Sequence, residues 1–359
     1  MNFAEDLIPV ILQSNGHWWD RDLARLALVS PGWLYYIRRR LYAAPSLYSF
    51  AACASLARTF ASNPYLASLV RHLSLRPTYA GTSRGSGKDR IAVRTLLGLE
   101  GLHSLVLGGE LAIQSERFLG FVTAADTLQR LHIDGTLLRA ALTARASVEW
   151  SEDMASRFPN LKSLRLTELD LDISFASAPL PIQWSELTLE STSIVGGILS
   201  QLVPEGSTLG RLCIKASSAC EYDDHIQMVL YSSDVESFEY EVQKASPYDG
   251  SFLEPEDAAS TEALSLRRLA LRGLHVDNGV LSRLRQRCPE IEELVVSTRL
   301  IFVSPEDWET FLTSGALPSL RSLQLTRGTN HPPYQPWNED GVRVLTEAAS
   351  QRRIELLPL

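Results

Sequence analysis

Apolar residues recur along most of this chain in a fixed arrangement. The clearest copy is Leu99-Glu100-Gly101-Leu102-His103-Ser104-Leu105-Val106-Leu107, an apolar residue at every third place that closes on leucine, any residue, leucine. The closing spacing has period two, so it predicts a short strand with Leu105 and Leu107 on one face and Ser104, Val106 and Gly108 on the other. The unit returns as Leu131-His132-Ile133, Leu164-Arg165-Leu166, Leu187-Thr188-Leu189, Leu212-Cys213-Ile214, Phe238-Glu239-Tyr240, Leu269-Ala270-Leu271, Leu294-Val295-Val296 and Leu323-Gln324-Leu325. Weaker copies stand at Leu73-Ser74-Leu75 and Ile354-Glu355-Leu356. Between these strands, helical return segments are expected at 116–125, 148–158, 197–202, 222–231, 278–287, 305–312 and 338–352. Two are well marked: Ser304-Pro305-Glu306-Asp307 supplies a cap, a first-turn proline and acids, and 278–287 turns Val280, Leu281 and Leu284 inward.

The unit returns about every 28 residues, in the range of leucine-rich repeats. Strand followed by helix, repeated, predicts an α/β leucine-rich-repeat solenoid over 73–359, with a parallel β-sheet on the concave side and helices on the convex side. The asparagine that hydrogen-bonds the turn after the strand in regular leucine-rich repeats is replaced, near its expected places, by Glu110, Thr136, Leu169, Thr192, Ser217 and Arg299. The turn backbone must therefore be satisfied in another way.

Ahead of the repeats the period changes to that of helices. Residues 3–12 carry Leu7, Ile8, Ile11 and Leu12 at three- and four-residue spacing, Asp20 is placed to cap a helix bearing Leu23, Leu26, Ala27 and Val29, and Ser30-Pro31 opens a third with Trp33, Leu34, Ile37 and Leu41. A further helix is expected over 49–61. Three short helices bury little by themselves, so such a unit leans on something else.

The series Glu5-x-Leu7-Ile8-x-x-Ile11-Leu12, followed by Asp22-Leu23-x-x-Leu26-x-Leu28-Val29-Ser30-x-x-Trp33, resembles an F-box, and Leu41-Tyr42-x-x-Pro45-Ser46-Leu47-x-Ser49-Phe50 with Asn63-Pro64-x-Leu66-x-x-Leu69-Val70-Arg71-x-Leu73 resembles fungal F-box proteins with C-terminal leucine-rich repeats. Phe3-Ala4 stands where that family opens with Leu-Pro. The resemblance implies an F-box-like helical module at 1–45, a helical linker and N-terminal cap at 46–72, and the irregular repeat domain after it. It further implies docking on a Skp1-type adaptor through Phe3, Leu7, Ile8, Ile11, Leu23, Leu26, Val29 and Trp33, and recruitment of an unknown protein substrate to a cullin-based ubiquitin ligase. The alternative is a repeat scaffold with a degenerate F-box and no link to ubiquitin transfer.

Composition narrows the remaining classes. A net charge of −8 over 359 residues, without a long run of like charge, argues against nucleic acid as partner. The acidic N-terminal stretch lacks the basic residues of a secretory leader and no apolar run reaches a membrane span, so an intracellular protein, cytoplasmic or nuclear, is expected. Four cysteines without a C-x-x-C pair suit free thiols. Residues 77–90, 243–262 and 328–337 read as loops. The first fails as a P-loop, because Thr82 stands where a glycine is needed and Asp89 follows Lys88. Cys213, Cys220 and His225 lack a fourth metal ligand, and Glu292 and Glu293 point to opposite strand faces, so no catalytic residue, cofactor or metal is expected.

What remains is a binding surface. With the paired leucines inward, the flanking and middle residues of each strand face outward, and from Glu186 onward their sign alternates strand by strand. Arg165, Glu186, Glu190, Arg211, Lys215, Glu239, Glu241, Arg268 and Arg272 are the expected partner-binding residues of this face. The competing expectation is mutual neutralisation between strands about 4.8 Å apart.

Overall fold

The computed structural model describes residues 5–14, 18–78, 87–136, 145–174, 183–218, 221–244, 251–254, 263–297, 303–326 and 337–357. It is an α/β structure rich in parallel strands, and it divides into two compact units, Met1–Ser147 and Val148–Leu359.

The first unit begins with α1 (Leu7–Ser14), α2 (Asp20–Leu26) and α3 (Pro31–Ala43). Ile8 and Leu12, four apart on α1, meet Leu23 of α2 and Ile37 of α3 in a small core, with Trp18, Leu26, Ala27, Trp33, Tyr36 and Leu41 packed around it. Ser30 caps α3 by accepting the Trp33 N–H at 3.3 Å, with Pro31 in the first turn, as its sequence predicts. At α2 the cap falls one residue earlier than expected: Trp19 is the N-cap, it makes no side-chain cap bond, and Asp20 is already helical.

There follow β1 (Ser46–Ser49), α4 (Phe50–Ser62), α5 (Pro64–Ala67), β2 (His72–Thr78), α6 (Gly87–Leu97), β3 (Ser104–Gly108), α7 (Ser115–Leu119) and β4 (Arg130–Asp134). The four strands lie side by side in sequence order, all parallel. The leucines are in register: Leu73 opposite Leu105 opposite Leu131, and Leu75 opposite Leu107 opposite Ile133. Two elements correct the sequence reading. Strand β1 adds Leu47 opposite Leu75, ahead of the first expected unit. Helix α6 occupies the second part of what reads as a loop at 77–90, because Ala92, Val93, Leu96 and Leu97 bury a face at helical spacing. Residues 79–86 lie outside the described set.

Strand β5 (Ala146–Ser151) crosses the division, and its 148–151 stretch opens the second unit. That unit continues with α8 (Glu152–Arg157), β6 (Ser163–Thr167), β7 (Leu169–Ser174), β8 (Glu186–Glu190), β9 (Ser193–Gly196), β10 (Thr208–Ser218), α9 (Asp223–Ser232), β11 (Asp234–Lys244), β12 (Arg268–Arg272), α10 (Asn278–Arg287), β13 (Glu293–Ser297), α11 (Pro305–Thr313), β14 (Ser322–Leu325), α12 (Glu339–Gln351) and β15 (Glu355–Leu357). Strands β6, β8, β10, β11, β12, β13, β14 and β15 pair in that order, all parallel. Leu164, Leu187, Leu212, Phe238, Leu269, Leu294 and Leu323 form one ladder, and Leu166, Leu189, Ile214, Tyr240, Leu271, Val296 and Leu325 the next. The last unit is displaced: Leu356, not Ile354, stands opposite Leu323, and Ile354 is buried just ahead of the strand.

The return segments are less uniform than a helix per repeat. The helix expected at 148–158 is strand β5 followed by the single short helix α8. Val148 and Trp150 are buried at strand spacing, while Glu149 between them is exposed. Strand β7 follows β6 after one residue and pairs in parallel with β9, with β5 on its other side, so part of this layer is a second small sheet. At 197–202 only a turn of 3-10 helix forms. Helices α10, α11 and α12 match their expected places. Ser304 and Asp307 form the cap of α11, with the Asp307 N–H donating to Ser304 Oγ at 3.1 Å and the Ser304 N–H to Asp307 Oδ2 at 3.2 Å.

The backbone repeats more strictly than the side chains. The carbonyls of Arg71, His103, Lys162, Arg267 and Glu292 each accept two consecutive N–H groups from the start of the neighbouring strand, as Lys162 does from Ser185 at 2.8 Å and Glu186 at 3.0 Å. After β6, β8 and β12 the next residue turns left-handed: Glu168 at φ 52°, Ser191 at 47° and Gly273 at 72°. Their N–H groups reach across to Glu190 O, Ser191 to Lys215 O, and Gly273 to Ser297 O, at 2.8, 2.7 and 2.6 Å.

Candidate functional site

Two surfaces carry the residues expected to bind partners. On the helices of the first unit, the same side chains cannot serve both the core and the surface. Ile8 and Leu23 are buried within the three-helix core, Leu26 and Trp33 are half-buried against it, Ile11 is half-buried, and Leu7 and Val29 are exposed. Phe3 lies outside the described residues. Val10, Trp19, Leu28 and Tyr35, which are not among the expected docking residues, are surface groups as well. Leu28 is 87% exposed, Trp19 68%, Val29 65% and Val10 59%. Leu7 and Val10 share a face of α1, three apart and opposite Ile8 and Leu12. Arg21 lies over the Trp19 ring at 5.5 Å and Arg39 over Tyr35 at 5.6 Å.

The second surface is the polar face of strands β6 to β13. Register places Glu186, Arg211, Ser237, Arg268 and Glu293 in one row, and Glu190, Lys215, Glu241, Arg272 and Ser297 in another. Between them run Thr188, Cys213, Glu239, Ala270 and Val295. Charges of opposite sign meet across the strands. Glu190 receives Arg165 Nη2 at 2.5 Å and Lys215 Nζ at 2.6 Å on its two oxygens. Glu239 receives Arg211 Nη2 at 2.9 Å and Arg272 Nε at 3.2 Å, and Arg211 also lies 3.5 Å from Glu186. Arg268 pairs with Glu293 at 3.1 Å. Hydroxyls that the sequence does not single out complete the set: Ser163 donates to Glu186 at 3.2 Å and Thr167 to Glu190 at 3.4 Å. Eight of the nine expected partner-binding residues are thus joined in ion pairs. Glu241 is the exception, half-buried between the Lys215 and Arg272 strands.

Burial by itself works against the charge of Glu190, yet the hydrogen bonds and charges of Lys215 and Arg165 prevail and hold its pKa below the ordinary value. Glu239 behaves alike, burial opposing and Arg211 and Arg272 prevailing. On the cationic side Lys215 is raised by its hydrogen bond to Glu190, and Arg211 by its bond to Glu239. Cys213, an outward position by strand spacing, is buried beneath these pairs, and burial pushes its thiol up to about 11. It is therefore not a nucleophile at neutral pH. Cys220 lies outside the described residues, and among the described residues no three potential ligands are grouped around a metal-sized space.

The strand face of the first unit is built differently. Arg76 Nε meets Asp134 Oδ2 at 3.1 Å across Gly108, and the Asp134 carboxylate also accepts from the Thr136 N–H and hydroxyl at 3.1 and 2.6 Å. Among the described residues, no helix is long and apolar enough to cross a membrane. No family model matches this chain, and it matches none of the curated proteins.

Proposed function

We propose that this chain is a substrate-recruiting adaptor of a Skp1-cullin-F-box-type ubiquitin ligase, with its N-terminal helices docking on a Skp1-type protein and a leucine-rich-repeat solenoid receiving the target. The observation that carries the reading is the division of labour in the first three helices. They close a core on Ile8, Leu12, Leu23 and Ile37, yet leave Leu7, Val10, Trp19, Leu28 and Val29 in water. A module of this size gains nothing from exposing so many large apolar groups unless a partner covers them. The unbroken leucine ladders support the repeat half of the reading, since strands stacked in register with intervening helices are what a repeat array requires. Bringing a target beside a transferring enzyme needs no catalytic group in the chain itself.

The test uses the full chain and a purified Skp1-type adaptor. Wild type should form a complex at micromolar concentrations, and Leu28→Asp with Val29→Asp should abolish it while leaving the melting midpoint unchanged, because both side chains are exposed. Absence of a wild-type complex would replace the ligase reading with that of a plain repeat scaffold.

A further inference from the structure

From β10 to β15 every return segment carries a helix among its described residues except the one between β11 and β12, which holds only a turn of 3-10 helix, Ser251–Leu253. The turn nonetheless fills a place in the core. Phe252 and Leu253 are completely buried, and the Phe252 ring packs edge-on against Phe238 and Tyr240 of β11, both at 5.6 Å. Side chains of the flanking helices hold it there. Tyr231 of α9 donates its hydroxyl to the Leu253 carbonyl at 3.4 Å, Gln227 donates to the Glu254 carbonyl, and Arg283 of α10 meets the Glu254 carboxylate at 3.1 Å.

The start of the turn is fastened to a buried acid. Asp223, in the first turn of α9, is 7% exposed, and its carboxylate accepts from the Tyr240 hydroxyl on Oδ1 at 3.3 Å and from the Ser251 hydroxyl on Oδ2. Ser251 is itself only half-buried, and Glu254 beyond the turn is exposed. Three residues held in this way are a small unit, which opens locally without unfolding the sheet beneath. In sequence the serine stands among acids, with Asp249 before it and Glu254, Glu256 and Asp257 after it, and the nearest preceding base is Lys244.

We propose that Ser251 is a phosphorylation site for a protein kinase that selects acidic surroundings, and that its modification unseats the turn from α9 and α10. In the step, a nucleoside triphosphate gives up its terminal phosphoryl group. The bond from the γ-phosphorus to the bridging oxygen breaks, a P–O bond forms to Ser251 Oγ, the hydroxyl proton passes to the kinase's base, and the nucleoside diphosphate leaves. The contact with Asp223 is thereby reversed in sign. The serine hydroxyl donates to the carboxylate, whereas the phosphoserine oxygen has no proton to give and sets close to two negative charges against a buried acid. Like charges repel most where water is excluded, and Arg283, the cation recorded on this turn, is already engaged by Glu254. Withdrawal of the turn relieves the repulsion and carries Phe252 and Leu253 out of the core. The inference uses none of the adaptor-docking residues and none of the strand-face charges, so it stands with or without the ligase reading.

The experiment incubates the full chain with MgATP and a kinase selective for serine amid acidic residues, locates phosphate by fragment mass, and times chymotryptic cleavage after Phe252, a bond shielded while the turn is seated. Phosphate should appear on Ser251, and cleavage after Phe252 should then run about tenfold faster than in the unmodified chain. In Asp223→Asn the side-chain amide can donate to the phosphate, so the acceleration should shrink to about threefold or less. Ser251→Glu and Ser251→Gln separate charge from size without relying on that variant, and the first should be cleaved about fivefold faster than the second. Absence of phosphate from Ser251 overturns the modification site. Phosphate there with cleavage unchanged, or equal cleavage of Ser251→Glu and Ser251→Gln, overturns the unseating of the turn. Full acceleration retained by Asp223→Asn overturns the part assigned to Asp223.

Discussion

Thr192 Oγ1 donates to the carbonyl of Leu166, 26 residues earlier, at 3.1 Å, and lies 3.3 Å from the carbonyl of Glu190. It follows strand β8, at one of the places where the sequence reading looks for a leucine-rich-repeat asparagine and finds another residue. A buried hydroxyl thus ties the turn after β8 to the neighbouring strand β6. Thr192→Val keeps the shape and removes the donor, leaving a buried carbonyl short of a partner. The expected cost is about 1–2 kcal/mol in urea unfolding. A loss within error of zero would mean that the backbone alone holds this turn.

The left-handed turn after β12 sets a second expectation. At Gly273, φ is 72° and an added Cβ would come within 2.0 Å of the Val242 carbonyl oxygen on the neighbouring strand. Gly206 has nearly the same φ, 71°, with nothing within 4 Å. Gly206→Ala should therefore cost only the left-handed penalty, about 1 kcal/mol, whereas Gly273→Ala adds a backbone collision and should lower soluble yield and melting midpoint sharply. Equal effects would contradict the close approach.

The leucine register was legible because a period of two leaves no freedom about which face is buried. The elements that were not legible lack that signal or imitate another. Strand β1 has one buried-side residue, Leu47, between exposed Ser46 and Tyr48, too short to show a period. Ala146, Val148 and Trp150 do alternate, but Met154, Ala155 and Phe158 behind them suggest a helix, and the two patterns overlap within one segment. Helix α6 hides its start in Gly87-Lys88-Asp89-Arg90, a loop-like composition. At the N-terminus the helical period marks apolar positions without saying whether the module's own core or a partner claims them. Only packing assigns Ile8 inward and Val10 outward.

The charge ladder has a pH signature whose sign is fixed. Glu190 and Glu239 have pKa values below their ordinary 4.5, so the stability they contribute is fully present above that value and is lost as pH falls through the lower folded values. Lys215 is raised above 10.5, so its contribution is present below that value and is lost as pH rises beyond it. The partners of Glu190 are partly exposed, which limits Glu190→Gln to a cost of about 1 kcal/mol at pH 7. The melting midpoint of this variant should fall less than that of wild type between pH 5 and pH 3. A variant curve parallel to wild type across that window would remove Glu190 from the acid response.

Within the ladder the two arginines on one row should differ. Arg211 serves Glu239 at 2.9 Å and Glu186 at 3.5 Å, whereas Arg268 serves only Glu293, itself 47% exposed. Arg211→Glu deletes two attractions and sets three carboxylates together, for an expected loss of about 2 kcal/mol. Arg268→Glu deletes one exposed pair and should cost about 0.5 kcal/mol. Both losses should shrink in molar salt, where the screening length falls to about 3 Å. The difference bears on what the face is for, because a cation already shared by two carboxylates has little left for a partner, while Arg268 can exchange Glu293 for one cheaply. If Arg268→Glu with Arg272→Glu leaves a target's affinity unchanged while the fold stays intact, the ladder is neutralised for stability and recognition lies elsewhere on the strands. If affinity drops by more than folding stability does, the β12 edge of the ladder belongs to the recognition surface.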